Sequence, residues 1–350
     1  MAYTTVNKST DHFNTKLYSG TGSAVSITGV GFQPDLIWGK IRTGTNDHRW
    51  TDVVRGVGKE INSNDPRVEY SNNTNGYIGS FDSDGFSISS GSSNVNNWNA
   101  SGNDYVAWNW KAANSSGSAN TDGTINSTVS ANQTAGFSIV KWVGTGANGT
   151  IGHGLNAVPK MVIVKCLDAG VNWFVYHQAT GNTKELYLNT SGAPYSGTTA
   201  WNSTTPTSSV VYLGAHDAGA NKSGDDQIAY CFAEKTGYSK FGSYVGNGNA
   251  DGTFIYTGFS PAFFILKRTD ATEQWIIKDN KRPGYNPNNT LYANLTNAED
   301  TNSNVYGDFL SNGVKLRGTY NGLNASGATY IYMAFGQSLV GSNNVPCTAR

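Results

Sequence analysis

Tyr105-Val-Ala-Trp-Asn-Trp-Lys111 alternates large apolar side chains with small or polar ones. Successive side chains of a β-strand point to opposite faces, so Val106, Trp108 and Trp110 share one face and Ala107 lies on the other. The pattern recurs at Ile228, Tyr230 and Phe232 and at Ile331, Met333 and Phe335. We expect the large side chains to form core and the small ones to face a closely packed second layer.

Four landmarks extend this repetition over most of the chain. They recur three times in the same order: an aromatic residue before a glycine-rich tetrad at Tyr18, Trp142 and Tyr244; an apolar run ending in Lys40, Lys165 and Lys267; a tryptophan at Trp50, Trp173 and Trp275; and an Asn-X-Ser-Gly motif at Asn99, Asn221 and Asn324. Repetition of this kind indicates a duplicated structural unit.

The rhythm of short strands and turns predicts an all-β fold of three tandem antiparallel β-sandwich repeats. The predicted boundaries are repeat 1 at 1–112, a Ser/Asn/Gly-rich linker at 113–135, repeat 2 at 136–235, repeat 3 at 236–340 and a C-terminal tail at 341–350. Within the linker, Thr124–Ser130 alternates as an edge strand does. We expect repeats 2 and 3 to pack closely and repeat 1 to move relative to them.

Composition narrows the classes of function. Lys and Arg number 24, as do Asp and Glu, so the formal net charge is zero and a nucleic-acid partner is disfavoured. We find no apolar run of the roughly 20 residues that cross a bilayer, and residues 1–13 lack the basic and apolar regions of a signal peptide. Three widely spaced cysteines offer neither a disulfide framework nor a zinc motif.

Asp82-Ser-Asp84-Gly85 has the alternating carboxylates of a calcium loop. The matching stretch of the third repeat, Phe309-Leu-Ser-Asn-Gly313, keeps the turn but replaces the first carboxylate with leucine. What the two stretches share is the signature of a tight hairpin, which we favour over a metal site.

The other candidate catalytic and metal-binding residues are also better explained by structural roles. The neighbouring acids Asp225 and Asp226, or Glu299 and Asp300, lack the separation across a sugar that glycosidases need, and the five histidines show no metal-binding spacing. We therefore assign no catalytic residue, no metal site and no cofactor.

At two recurring polar positions, the sequence favours a structural role over a role in ligand binding. His177 lies where the other repeats have Asp52 and Asp279, which favours a strand-end polar group. For the repeated lysine, we expect a stem packed on the sheet edge and an ammonium that reaches solvent or a strand-end carboxylate.

Aromatic residues outside the shared pattern are the candidate ligand-binding residues. Trp98 and Trp201 lie in Asn/Ser/Thr-rich stretches before the last strand of their repeats, and Tyr195 is near Trp201. An exposed indole among amides and hydroxyls suits a sugar, whose apolar face stacks on the ring. The alternative is that these rings cap the ends of their own sandwiches.

The chain resembles a family of virion structural proteins of tailed phages, especially marine and cyanobacterial ones. The resemblance covers residues 13–335 and is carried by the stretches that begin at Gly31, Asp52, Phe81, Tyr105, Gly152, Ala229 and Gly237. It implies a particle component with a lectin-like or jelly-roll-like β-sandwich fold, and it transfers no catalytic residue.

These observations predict a non-enzymatic virion protein, a tail fibre, tail or head-surface component. Its expected partners are copies of itself, other virion proteins and a host-surface glycan, with neither nucleic acid nor membrane insertion. We expect assembly in the host cytoplasm and release by lysis. The alternatives are a polysaccharide depolymerase of the virion and a cellular carbohydrate-binding protein, the latter disfavoured by the missing signal sequence.

Overall fold

β-Strands form most of the structure. The computed structural model describes residues 4–71, 74–216, 219–282, 289–301, 305 and 307–340. Within these ranges the chain forms 27 strands, whose pairings in the sheets are all antiparallel, together with one short 3-10 turn and two single-turn helices. The prediction of an all-β antiparallel fold is confirmed.

The first part of the chain forms a six-stranded and a three-stranded sheet. Its strands are β1 (Phe13–Ser19), β2 (Val25–Thr28), β3 (Leu36–Ile41), β4 (Arg49–Asp52), β5 (Lys59–Asn62), β6 (Tyr70–Ser71), β7 (Tyr77–Asp82), β8 (Gly85–Ser89) and β9 (Asp104–Trp110). The first large sheet has the order β1-β9-β3-β4-β5-β6, and the small sheet has the order β2-β8-β7. The 3-10 turn Ser9–Asp11 precedes β1, and helix α1 (Asn96–Asn99) precedes β9.

The second part forms an eight-stranded and a two-stranded sheet. Its strands are β10 (Ser118–Asn120), β11 (Ser127–Asn132), β12 (Phe137–Val143), β13 (Gly149–Gly152), β14 (Pro159–Cys166), β15 (Phe174–His177), β16 (Lys184–Tyr187), β17 (Tyr195–Ser196), β18 (Val210–Leu213) and β19 (Asp226–Ala233). The second large sheet has the order β10-β11-β12-β19-β14-β15-β16-β17, and β13 pairs with β18. The segment 113–135 thus carries two strands of this sheet, with β10 at its edge.

The third part forms a five-stranded and a three-stranded sheet. Its strands are β20 (Ser239–Val245), β21 (Phe254–Tyr256), β22 (Ser260–Arg268), β23 (Ile276–Asp279), β24 (Leu291–Tyr292), β25 (Gly307–Leu310), β26 (Gly313–Leu316) and β27 (Thr329–Gln337). The third large sheet has the order β20-β27-β22-β23-β24, and the small sheet has the order β21-β26-β25. Helix α2 (Asn321–Asn324) precedes β27. The predicted tail at 341–350 lies outside the described residues.

The three large sheets share one strand order. In each, the last strand of its part lies between two long strands: β9 between β1 and β3, β19 between β12 and β14, and β27 between β20 and β22. The registers correspond: Trp108 pairs with Trp38, Tyr230 with Ile163 and Met333 with Ile265. Each position can therefore be compared with its counterparts in the other two parts.

One face of each large sheet is buried in a common core. This core contains Trp108 and Trp110 from the first part, Tyr230 from the second and Phe335 from the third. Rings from different sheets are in contact, with the centroids of Trp110 and Phe335 at 5.9 Å. The strand face predicted to be core is therefore buried, and it packs against the other two large sheets.

The opposite face of each large sheet packs on the small sheet of the same part. Ala107 of β9 lies in a hydrophobic cluster with Ile27, Phe86 and Ile88. Corresponding clusters enclose Ala229 with Ile151 and Val211, and Ala334 with Ile255 and Val314. Small residues on this face let the second layer approach closely, as the sequence predicted.

Polar contacts between the three parts close into a ring. The contacts are Tyr230 Oη to Asp52 Oδ2 at 2.7 Å, Trp108 Nε1 to Asp279 Oδ2 at 2.9 Å and His177 Nε2 to the Tyr332 carbonyl at 3.1 Å. The first part is thereby bonded to both others through buried groups. The expectation of a mobile first part is wrong.

Candidate functional site

The asparagine of the Asn-X-Ser-Gly motif binds the glycine-rich loop of its own part. The buried Asn99 side chain donates from Nδ2 to Thr21 Oγ1 at 2.7 Å and accepts the Thr21 backbone N–H at 3.0 Å. The same two-way contact joins Asn221 to Thr145 and Asn324 to Asn247. Two of the sequence landmarks are therefore the two sides of one structural joint.

The repeated lysines are buried, and each caps the end of its own strand. Each ammonium donates to the carbonyl of the following residue: Lys40 to Ile41 at 2.6 Å, Lys165 to Cys166 at 2.7 Å and Lys267 to Arg268 at 2.7 Å. Burial lowers the lysine pKa to about 7 in the first part and to about 8 in the other two. These lysines have a structural role. Their ammonium groups contact backbone carbonyls rather than the solvent or carboxylate that the sequence predicted.

The strand-end position of Asp52, His177 and Asp279 holds a turn as well as bridging two parts. One acceptor atom of each side chain binds the turn that follows: Asp52 Oδ1 accepts the N–H groups of Val54 and Arg55, Asp279 Oδ1 those of Lys281 and Arg282, and His177 Nδ1 that of Ala179. The interpretation as a strand-end polar group is confirmed.

The exchange of aspartate for histidine follows from what the neighbouring part offers. In the first and third parts the carboxylate faces a hydroxyl or indole donor. Met333 holds the register position of those donors in the third part and has no polar hydrogen, so His177 faces the Tyr332 carbonyl instead. With Nδ1 accepting, the proton lies on Nε2 and is donated to this carbonyl. Burial keeps the ring neutral by lowering the His177 pKa to about 4.

Trp50 is not the counterpart of the other two landmark tryptophans. The backbone N–H of each counterpart donates to the asparagine that follows the next two strands: Trp173 to Asn189, Trp275 to Asn294 and His48 to Asn64. His48 therefore occupies the tryptophan position of the first part, and its Nδ1 accepts the indole N–H of Trp38 at 3.0 Å. The third landmark is therefore not a repeated tryptophan but a position held by His48, Trp173 and Trp275.

The candidate calcium loop is a tight hairpin. Asp82 and Gly85 are paired residues at the end of β7 and the start of β8. The Asp84 carboxylate accepts the N–H groups of Gly29 and Gly31 at 2.9 and 2.7 Å, and these bonds lower its pKa. The described part of the chain contains no group of three or more His, Cys, Asp or Glu residues placed to hold a metal ion.

The neighbouring acids hold contacts within the fold. Their partners are Lys222 for Asp225, Lys141 for Asp226, Arg42 for Glu299 and the Tyr292 hydroxyl for Asp300. The pair of Arg42 and Glu299, at 2.6 Å, joins the first part to the third.

Trp98 and Trp201 are buried, so no sugar can stack on their rings. Trp98 Nε1 donates to Glu60 Oε1 at 2.5 Å, and the ring lies in the cluster between the two sheets of the first part. Trp201 lies in the corresponding cluster of the second part, with its ring centroid 5.8 Å from that of Tyr176. The prediction of exposed indoles is wrong, because the residues that are polar in the surrounding sequence flank rings that pack inside the hydrophobic clusters of their own parts.

Tyr195 is exposed and remains a candidate ligand residue. Its hydroxyl bonds the Glu185 carboxylate and the Tyr187 hydroxyl. Glu185 is buried, accepts the Ala200 N–H at 3.1 Å and lies 3.8 Å from His216 Nε2. The structure thus joins Tyr195 to acidic and basic groups that the sequence analysis did not single out.

The cluster of Glu185, Tyr195 and His216 differs from the corresponding residues of the first part. Glu60 pairs with Tyr70 across β5 and β6 as Glu185 pairs with Tyr195 across β16 and β17. In the first part Arg49 forms an ion pair with the glutamate at 3.2 Å, whereas Phe174 holds the arginine position in the second part. The second part therefore keeps the carboxylate and the phenol, as Glu185 and Tyr195. The group near the carboxylate is the His216 imidazole in place of the Arg49 guanidinium.

Two open surface clefts lie elsewhere. The first, of about 380 Å³, is bordered by Gln33, Val53, Val57, Phe81 and Asn114, and the second, of about 300 Å³, by Pro159, Lys160, Tyr176, Gln178 and Asn182. Trp98, Trp201 and Tyr195 line neither cleft.

The extent of the fold agrees with the extent of a family match. Residues 8–338 match DUF7483, described as a domain of unknown function. The chain belongs to the DUF7483 family. The family region spans all three large sheets, so DUF7483 corresponds to the three parts together. No match was found among curated proteins or among solved structures.

In the described ranges, neither helix has the length and hydropathy needed to span a bilayer.

Proposed function

We propose that this DUF7483 chain is a non-enzymatic structural protein of a tailed-phage particle, a tail fibre, tail or head-surface component built from three tandem lectin-like β-sandwich units. The observation that carries the proposal is the common core, in which one face of each large sheet is buried against the other two. Burial of large aromatic side chains contributes roughly 1.5–3 kcal/mol each, so three joined units make a stable building block.

The use of the recurring polar residues supports this role. Lysine caps strand ends, asparagine joins two loops, and aspartate or histidine bridges neighbouring parts. Each of these residue types serves catalysis in other settings, and here each is bonded to the backbone or to another part of the fold.

In this proposal the chain assembles with copies of itself and with other virion proteins, and it contacts a host-surface glycan. Assembly takes place in the host cytoplasm and release follows lysis. The resemblance to virion proteins supports this localisation, and the β-sandwich units supply exposed sheet faces and loops for the contacts.

A depolymerase is the second candidate, and one observation favours it. Glu185 is a buried carboxylate that contacts an exposed phenol and lies near an imidazole. Glycosidases most often act through two carboxyl groups, whereas this cluster contributes one, and this is why the structural role is preferred. A cellular carbohydrate-binding protein is the third candidate.

Particles purified from the phage that encodes the chain test the proposal. We expect mass spectrometry to detect the chain in them and immunogold labelling to mark one structural element. Absence of the chain from purified particles would overturn the virion role. Release of reducing sugar ends from host polysaccharide by the purified protein, abolished in Glu185→Gln, would establish the depolymerase instead.

A further inference from the structure

Exposed aromatic side chains gather on the outer face of the small sheet β21-β26-β25. Phe254 is 42% exposed, Tyr256 61% and Leu310 38%, whereas Ile255 between the two aromatic residues is buried. This alternation directs one face of β21 to the core and the other to solvent. Exposed apolar groups that lie together mark a binding surface more often than isolated ones do.

The strand register brings these side chains together. Tyr256 and Leu310 both pair with Gly313, one on each side of the central strand β26. Phe254 pairs with Lys315 in the neighbouring row, and a Cβ at Gly313 would lie 2.8 Å from its Cζ, so the phenyl ring covers the glycine. Phe254, Tyr256 and Leu310 around Gly313 form one surface, here named the aromatic patch.

Charged groups at the border of the patch are paired with each other. Lys315 forms an ion pair with Asp251 at 2.8 Å, and Arg317 forms one with Asp308 at 2.6 Å. Two cations and two carboxylates therefore border the rings. The patch combines apolar ring faces with hydrogen-bonding neighbours and carries no excess of either charge.

The first part of the chain lacks this surface. The matching register positions carry Ser26 for Phe254, Thr28 for Tyr256 and Asp82 for Leu310. The Ser26 and Ser87 hydroxyl groups lie 2.8 Å apart, and Ser87 also donates to the Asp82 carboxylate at 2.6 Å. Because the inward positions stay apolar in both parts, the aromatic residues are not required by the sheet.

We propose that the aromatic patch binds neutral sugar units of a polysaccharide. A pyranose has an apolar C–H face that stacks on an aromatic ring and a rim of hydroxyl groups that accept and donate hydrogen bonds. The paired border charges offer such bonds without attracting an anion. This inference rests on the proposed function and deepens it by placing the glycan contact on the third part of the chain.

The size of the patch favours a sugar over a protein partner. Three strands about 4.8 Å apart, with three or four residues each at about 3.4 Å, present a face of roughly 10 by 13 Å. A stable protein interface buries about 800 Å² on each partner, several times that area. One or two sugar rings match the face.

A glycan array with the complete chain tests the proposal. The probes are oligomers of glucose, galactose, mannose and N-acetylglucosamine, with uronate and sialylated oligomers for comparison. The test variant is Phe254→Ser with Tyr256→Thr, which installs the residues of the first part. The control is Val245→Thr, another exposed apolar residue of the third part, outside the patch. Calorimetry with the best-bound neutral oligomer should show at least about a tenfold loss of affinity in the variant and none in the control.

Several results would overturn the inference. These are wild-type binding to anionic oligomers alone, no binding to any probe, or unchanged affinity in the variant. If the double variant fails to fold, Leu310→Asp, which also copies the first part, gives the same readout. Loss of self-association instead of sugar binding would assign the patch to a second copy of the chain. A particle protein that binds no sugar refutes only this inference, whereas sugar binding through the patch by a protein absent from particles refutes only the proposed function.

Discussion

His177 shows how one buried polar residue is matched to the neighbour it meets. An aspartate at this place would direct a carboxylate toward the Tyr332 carbonyl, with Met333 unable to donate a hydrogen bond. An unpaired buried charge of this kind costs about 3–5 kcal/mol. Neutral imidazole avoids that cost because one ring nitrogen donates while the other accepts.

The burial of His177 has a consequence for stability at low pH. Its folded-state pKa is lowered to about 4 from the usual 6.5, so between these values the unfolded chain binds a proton that the folded chain does not. Stability from this group is therefore complete above pH 6.5 and falls as the pH falls toward 4, by about 3 kcal/mol. His177→Gln keeps an N–H donor for Tyr332 and cannot titrate. Urea unfolding from pH 7 to 4 should show a smaller loss in the variant, and parallel curves for both proteins would contradict the assignment.

Single residues also show where sequence reasoning succeeded and failed. The large face of β9 could be predicted because strand alternation is a local property. The burial of Trp98 could not, because the serine and asparagine residues around it in sequence are equally common in exposed loops. The sequence does not reveal His48 as the counterpart of Trp173, because the tryptophan two residues later matches the landmark by residue type, and only hydrogen bonding tells the two positions apart.

At the scale of elements, the joint between the glycine-rich loop and the strand-preceding turn recurs in all three parts. Gly144 is the first glycine of the glycine-rich tetrad in the second part. A Cβ at this position would lie 2.1 Å from the Lys222 carbonyl oxygen. The backbones of the two loops thus approach more closely than any side chain allows. The glycine-rich motif is explained by this approach, and the sequence marked it correctly without showing its partner.

Gly144→Ala should therefore open this joint. Because the obstructing atom belongs to the backbone, we expect a loss of at least about 3 kcal/mol in the free energy of unfolding. Gly170→Ala is the control, since the nearest atom to its Cβ is 3.8 Å away and the change should lie within about 1 kcal/mol of wild type. Denaturant unfolding compares the two variants, and equal midpoints would show that the joint tolerates separation.

The segment 113–135 illustrates a limit at the same scale. Its Ser/Asn/Thr/Gly composition is typical of a linker, yet β11 pairs along β12 in the second large sheet. Backbone pairing with β10 and β12 holds β11 on both sides, and its Val129 and Ala131 side chains pack against the hydrophobic cluster of the second part. The alternation over Thr124–Ser130 predicted a strand that overlaps β11, but not at the correct place in the sheet, because β10 pairs with its outer side. Composition carries no signal for that partner.

At the scale of the whole molecule, the central strands of each large sheet are buried on both faces, one against the small sheet of the same part and one in the common core. Alternation predicts that a face is buried but not which neighbour covers it. Contacts between residues far apart in the sequence, such as Trp108 with Asp279 and Trp275 with Tyr187, decide that arrangement. These contacts are specific, and we expect their specificity to be exchangeable between parts.

A double-mutant cycle at the contact between the second and third parts tests this exchange. His177→Asp alone should lose about 3 kcal/mol of unfolding free energy, and Met333→Tyr alone should lose about 1–3 kcal/mol by overpacking. Together they recreate the carboxylate and phenol that Asp52 and Tyr230 form between the first and second parts, so the double variant should be more stable than the sum by at least about 1 kcal/mol. Combining His177→Asp with Thr329→Tyr, at an exposed position of the same strand, should give additive losses. Additivity in the first pair would mean that Met333 does not hold the donor position, because a phenol placed there would then fail to reach the carboxylate.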